Sequence, residues 1–76
     1  MTFREKDCVI INPKSPHPSR GHILKVCHKF EGIPVYKVKV TENHSIDVLT
    51  SEERKLMKLY IPYEWYFLET QLELLK

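Results

Sequence analysis

Glycine is nearly absent from this 76-residue chain: Gly21 and Gly32 are the only two. Two glycines cannot build a phosphate-cradling loop, and no G-x-S-x-G elbow occurs, which argues against P-loop and α/β-hydrolase chemistry. Cysteine is as sparse. Cys8 and Cys27 are too few for the disulfide framework of a small secreted domain, so they read as reduced, small buried hydrophobes in core strands, where a thiol stays protonated and inert. Long apolar runs are missing too. The longest, Cys8 to Ile11 and Trp65 to Leu68, fall far short of the roughly 20 residues that a bilayer-spanning helix needs. The opening stretch from Met1 to Asp7 has no apolar h-region, so the expectation is a cytoplasmic chain with no membrane contact.

What is present is ordinary globular composition, 42% apolar and 29% charged, in a length that allows a single small domain over residues 1–76. A domain this short buries only about 60% of the surface its unfolded chain exposes, which disfavours deep pockets. The net charge of +2 conceals two unlike halves. Residues 1–40 carry eight basic and three acidic side chains, a balance of +5; residues 41–76 carry four basic and seven acidic ones, a balance of −3. Such a distribution can steer an acidic partner or a phosphate backbone to one side if folding keeps the basic groups together.

The pattern along the chain is mainly β. Asp7-Cys8-Val9-Ile10-Ile11 reads as a first strand closed by Asn12-Pro13. Pro13, Pro16 and Pro18 then stiffen a loop that Gly21 releases into a half-buried strand over His22 to Phe30. Glu31-Gly32 marks a turn. Pro34 to Val40 alternates cleanly, with Tyr36, Val38 and Val40 predicted to face the core. Residues 42–57 form an excursion, in which Thr50-Ser51-Glu52-Glu53 matches a capping box that predicts a short helix through Met57. Lys58-Leu59-Tyr60-Ile61 reads as a fourth strand. Beyond it two readings stand open. Trp65, Leu68, Leu72 and Leu75 have the spacing of an amphipathic helix face. Alternatively, Pro62 to Trp65 makes a 3₁₀ turn, Tyr66 to Leu68 a short fifth strand, and residues 69–76 a helical tail.

The strand Asp7-Cys8-Val9-Ile10-Ile11, the segment Gly21-His22-Ile23-Leu24-Lys25-Val26 and the run Val35-Tyr36-Lys37-Val38-Lys39-Val40, together with Tyr60-Ile61-Pro62-Tyr63-Glu64-Trp65, resemble the SH3-like small β-barrels, including KOW-type and PsaE-like or ferredoxin-docking modules. The first matches an x-D-x-V strand and the second a G-x-(apolar)-x-x-V strand. The glycine usual before Asp7 is Lys6 here, and the excursion is longer than such barrels need. The resemblance implies a small barrel of about five strands over residues 5–68 with a short helix or 3₁₀ turn. It implies docking rather than chemistry, although fold alone does not convey function.

No constellation points to catalysis, and no cofactor is expected. Cys8, His17, His22, Cys27, His28 and His44 are zinc-ligand types without a C-x₂-C or H-x₃-H pair, so no metal is expected. Pro13-Lys14-Ser15-Pro16 fits P-x-x-P, a spacing found in polyproline ligands and also in loops that are merely stiff. The stronger signal is aromatic: Tyr60, Tyr63, Trp65, Tyr66 and Phe67 place five of the eight aromatic residues within eight positions. Either some of these rings form an exposed contact patch, or Trp65 and Phe67 complete the core and the tyrosines ring it. Two functions follow. The first is a non-catalytic protein-interaction module or accessory subunit, monomeric or homodimeric, binding through Pro16, His17, Tyr60, Tyr63, Trp65 and Tyr66. The alternative is a nucleic-acid-binding barrel whose phosphate contacts are Lys14, Arg20, Lys25, Lys29, Lys37 and Lys39.

Overall fold

The β-branched run at Val9 to Ile11 forms a strand, as its composition dictates. In the computed structural model, which describes residues 3–75, it belongs to a mainly β architecture. Among the described residues five antiparallel strands, β1 (Cys8–Ile11), β2 (Ser19–Val26), β3 (Val35–Glu42), β4 (Tyr63–Leu68) and β5 (Leu72–Leu74), make one sheet in the order β4-β3-β2-β1-β5. The sheet is not closed, and β4 and β5 are its edges; the arrangement is compatible with a small β-barrel-like fold. No helix among the described residues is long and apolar enough to cross a membrane.

The alternation in β3 does what period two predicts: Tyr36, Val38 and Val40 are fully buried. They meet Val9 and Ile11 from β1, Ile23 from β2 and Leu72 from β5. Phe3 joins them, its ring edge-on to Tyr36 at 5.3 Å and its N–H donating to the Tyr36 hydroxyl at 3.2 Å. The core therefore reaches two residues before the expected start at residue 5. Glu31 (φ 49°) and Gly32 (φ 80°) both take left-handed conformations between Phe30 and Ile33, which exchange two backbone hydrogen bonds of 2.9 Å, at the turn expected for Glu31-Gly32.

Several expectations are corrected. The second strand spans Ser19–Val26 rather than His22 to Phe30: pairing begins directly after Pro18, the last residue of the loop without an N–H, and Phe30 rejoins only as a bridge to Ile33. Lys58 to Ile61 is not a strand. The helix α2 (Ser51–Met57) runs up to it, and Lys58, at φ 56°, closes that helix by donating its N–H to Arg54 and Lys55 carbonyls. Pro62 to Trp65 is not a 3₁₀ turn, since Tyr63 already pairs with Val40; the 3₁₀ turn lies at Glu69–Gln71. The amphipathic helix and the helical tail are replaced by β4, which contains the expected strand Tyr66 to Leu68, the 3₁₀ turn and β5, in which Leu72 lies opposite Ile11 and is buried. The sheet accordingly extends to residue 74 rather than ending at 68. Cys8 and Cys27 are free thiols, as read, but Cys8 is exposed and Cys27 half-buried: Cys8 begins β1 on the face opposite buried Val9, and Cys27 lies past the end of β2.

Candidate functional site

Paired residues of an antiparallel ladder share a face. Val40 pairs with Tyr63, Val38 with Trp65 and Tyr36 with Phe67, so these three β4 aromatics lie on the core side, and Glu64, Tyr66 and Leu68 lie on the outer side. Tyr63 and Phe67 pack against the core cluster. Trp65, on the same side, remains 62% exposed, and among the described residues no strand lies beyond β4. The aromatic run thus divides, with Phe67 and Tyr63 completing the core and Trp65, Tyr66 and Tyr60 exposed.

Beside Trp65 an apolar cleft of about 680 Å³ opens between β4 and the excursion, lined by Ile46, Leu59, Tyr60, Pro62, Tyr63 and Trp65 among others. Asn43 holds its wall. Its side-chain oxygen accepts from the Ser45 N–H at 3.1 Å, capping the single-turn helix α1 (His44–Asp47), while its amide nitrogen donates to the Tyr63 hydroxyl at 3.1 Å. Arg54 ties α2 to that wall by donating to the Ile46 and Asp47 carbonyls at 3.0 and 3.1 Å, the first of which also accepts from the Leu49 N–H. Ile46 is the buried residue that anchors α1.

Helix α2 buries no side chain and depends on its ends. The capping box read from Thr50 and Glu53 is present: Thr50 N–H donates to the Glu53 carboxylate at 3.0 Å and Glu53 N–H to Thr50 Oγ1 at 3.2 Å. The backbone bond from Thr50, then the contact with its hydroxyl, holds the Glu53 carboxyl below its ordinary value. A depressed carboxyl supports the fold above the unfolded-chain pKa of 4.5 and stops doing so as pH falls through the lowered value. Acidification through that window should open α2 before the sheet, read as faster amide exchange at Glu53 and Arg54 with β3 amides still protected; simultaneous exposure of both would contradict it.

The remaining candidates separate. Pro16 and His17 line a second cleft of about 360 Å³ with Arg20, Glu42, His44 and Asp47, on the other flank of residues 43–47. There the imidazoles of His17 and His44 stack at 4.0 Å, 19° from parallel. Tyr66 stands on the outer face, with the Lys37 ammonium 5.9 Å from its ring centroid. Lys25, Lys37 and Lys39 do share that face, through Lys25 opposite Lys37 and His22 opposite Lys39. Acidic neighbours offset them: Glu64 bonds Lys37 at 3.1 Å, which raises the Lys37 pKa above its ordinary value, and Glu64 also sits opposite Lys39 in the ladder. Arg20 lies 3.8 Å from Glu42. Lys14 belongs to the proline loop beside Thr70 and Gln71, and Lys29 to the irregular stretch after β2. Among the described residues no group of three His, Cys, Asp or Glu side chains is placed to hold a metal.

Asn43, Ile46, Arg54 and Leu59 are the site residues that sequence reasoning missed. An Asn two residues before Ser45 was a readable N-cap signal for α1. The Arg54 tether bridges two separate helices and had no local signature. Comparison with protein-family models, curated proteins and solved structures finds no match to this chain.

Proposed function

We propose that this chain is a non-catalytic protein-interaction module or small accessory subunit that receives a segment of its partner in the cleft beside Trp65. The observation that carries this reading is the pairing of an apolar cleft with an exposed Trp65 and Tyr60 at its border. Large exposed rings such as Trp and Tyr are the side chains that dominate protein contacts. An SH3-like small barrel is the fold relationship that suits this reading. In support, the strand order joins β5 to β1, and Lys6 takes φ 74° at the position where such barrels carry glycine.

Panning a random-peptide display library against the protein tests the proposal. Selected peptides should lose roughly 30-fold in affinity, about 2 kcal/mol, on Trp65→Ala. Because the indole is exposed, that substitution should change stability by only about 0.5 kcal/mol. Tyr66→Ala, on the opposite face, should leave the affinity unchanged. A library that yields no binder, or binders indifferent to Trp65→Ala, would overturn the reading.

A nucleic-acid-binding role is the second reading, favoured by one observation: Lys25, Lys37, Lys39 and Tyr66 share the outer face. It predicts single-strand binding that weakens log-linearly with added salt and is reduced by a Lys37→Glu, Lys39→Glu double change. The carboxylate of Glu64 in the middle of that face makes it the weaker proposal.

A further inference from the structure

Among the described residues no strand pairs with β4 on the side away from β3. Leu68 N–H donates to the Gln71 side chain at 2.9 Å instead of to β3, whereas Glu69 N–H returns to Pro34 O at 2.9 Å. By the alternation of an antiparallel strand, the N–H and C=O groups of Glu64 and Tyr66 also point away from β3, toward the unpaired side. Gln71 caps the window at one end, and Pro62, which has no N–H, precedes the strand at the other. Within it Glu64, Trp65 and Tyr66 are all exposed; Glu64 is the one charge on this edge, and no lysine, proline or bulge blunts it.

We propose that this window is the contact of a weak isologous homodimer, in which β4 pairs antiparallel with β4 of a second copy about a two-fold axis through Trp65. In that register Glu64 and Tyr66 exchange backbone hydrogen bonds with Tyr66 of the partner subunit and Glu64 of the partner subunit. The bonds use the free groups of the window and no others. Centring the pair on Tyr66 would require the Leu68 N–H, which Gln71 already holds. Trp65 then faces Trp65 of the partner subunit at a pair without mutual hydrogen bonds, where side chains approach most closely. On the outer face the row runs Lys37, Tyr66, the partner's Glu64, the partner's Lys39, so that no like charges adjoin. The inference goes beyond the cleft reading, because backbone pairing along β4 requires no peptide in the cleft.

Sedimentation equilibrium of the full chain between about 10 μM and about 1 mM tests it, over the range in which so small a contact would titrate. The apparent mass should climb toward that of a dimer. Tyr66→Pro removes an outward N–H that the sheet itself does not use, and Trp65→Lys sets two ammonium groups opposite each other; each should weaken association at least about tenfold with the circular dichroism unchanged. If Tyr66→Pro fails to fold, Trp65→Lys decides. In a Cys8→Ser, Cys27→Ser background, Trp65→Cys should cross-link two chains on mild oxidation and Tyr60→Cys should not. A monomer across the whole range without that cross-link would overturn the proposal, as would a dimer indifferent to both substitutions. Loss of peptide binding with dimerisation intact would refute the cleft reading alone.

Discussion

Gly21→Ala should come close to unfolding the protein. Gly21 lies within β2, flanked in the sheet by Val9 of β1 and Val40 of β3, where β2 and β3 shift register. A Cβ at this position would be driven into the Lys39 carbonyl oxygen, with the Lys39 carbonyl carbon and Val38 Cγ1 each 3.0 Å away. The obstacle is backbone, which cannot rotate aside as a side chain can, so β2 and β3 must part over the core. Overpacking ordinarily costs about 1 to 3 kcal/mol, and a backbone clash belongs at or above the upper end. A chain of this length has about 4 to 11 kcal/mol in all. Urea denaturation should show a loss of at least about 3 kcal/mol. Gly32→Ala is the comparison: its φ of 80° is strained for alanine, but nothing lies within 4 Å of the added carbon, and about 1 kcal/mol should be lost. A Gly21→Ala loss smaller than that of Gly32→Ala would mean that the close approach of β2 to β3 is wrong.

Tyr36→Ala should be the second severe change, at about 3 to 5 kcal/mol, since Tyr36 heads the fully buried side chains. It sits opposite Phe67 in β4 and Val26 in β2, and its ring supports Phe3. Tyr36→Phe separates the hydroxyl from the ring. Without the oxygen the Phe3 N–H loses its partner in a buried setting, which costs about 1 to 3 kcal/mol. The expected order is therefore wild type, Tyr36→Phe, Tyr36→Ala. In Tyr36→Phe the first residues should also become protease-sensitive while the sheet persists. Equal stability of Tyr36→Phe and wild type would show that Phe3 is not held in this way.

The contrast between these residues explains what was legible in the sequence. Tyr36, Val38 and Val40 were readable because one face of a central strand is buried throughout, which leaves period two undisturbed. Thr50 and Glu53 were readable because a capping box is closed by residues three apart. β4 was misplaced because edge strands carry no such pattern: Trp65 lies on the core face yet remains exposed, and Tyr66 is equally exposed on the other face, so neither alternation nor helical spacing identified the strand. β5 was misplaced because three residues are too few to show a period. The role of Phe3 arises from contact with Tyr36, 33 residues away, and Gly21 was read as a loop exit because its crowding comes from Lys39 on another strand. Of the candidate site, Tyr60, Tyr63 and Trp65 were named from the sequence, whereas Pro16 and His17 proved to border a separate cleft and Tyr66 to stand on the opposite face.

The central claim is that the cleft beside Trp65 is where this protein meets its partner. The most direct measurement is amide and indole chemical-shift mapping of the labelled protein as a display-selected peptide is added. The account predicts perturbations at the Trp65 indole, Tyr60, Tyr63 and Leu59, extending to Asn43 and Ile46 across the cleft, with Lys25 unmoved. Shifts confined to Lys25, Lys37 and Lys39, or none at the Trp65 indole at saturation, would contradict it.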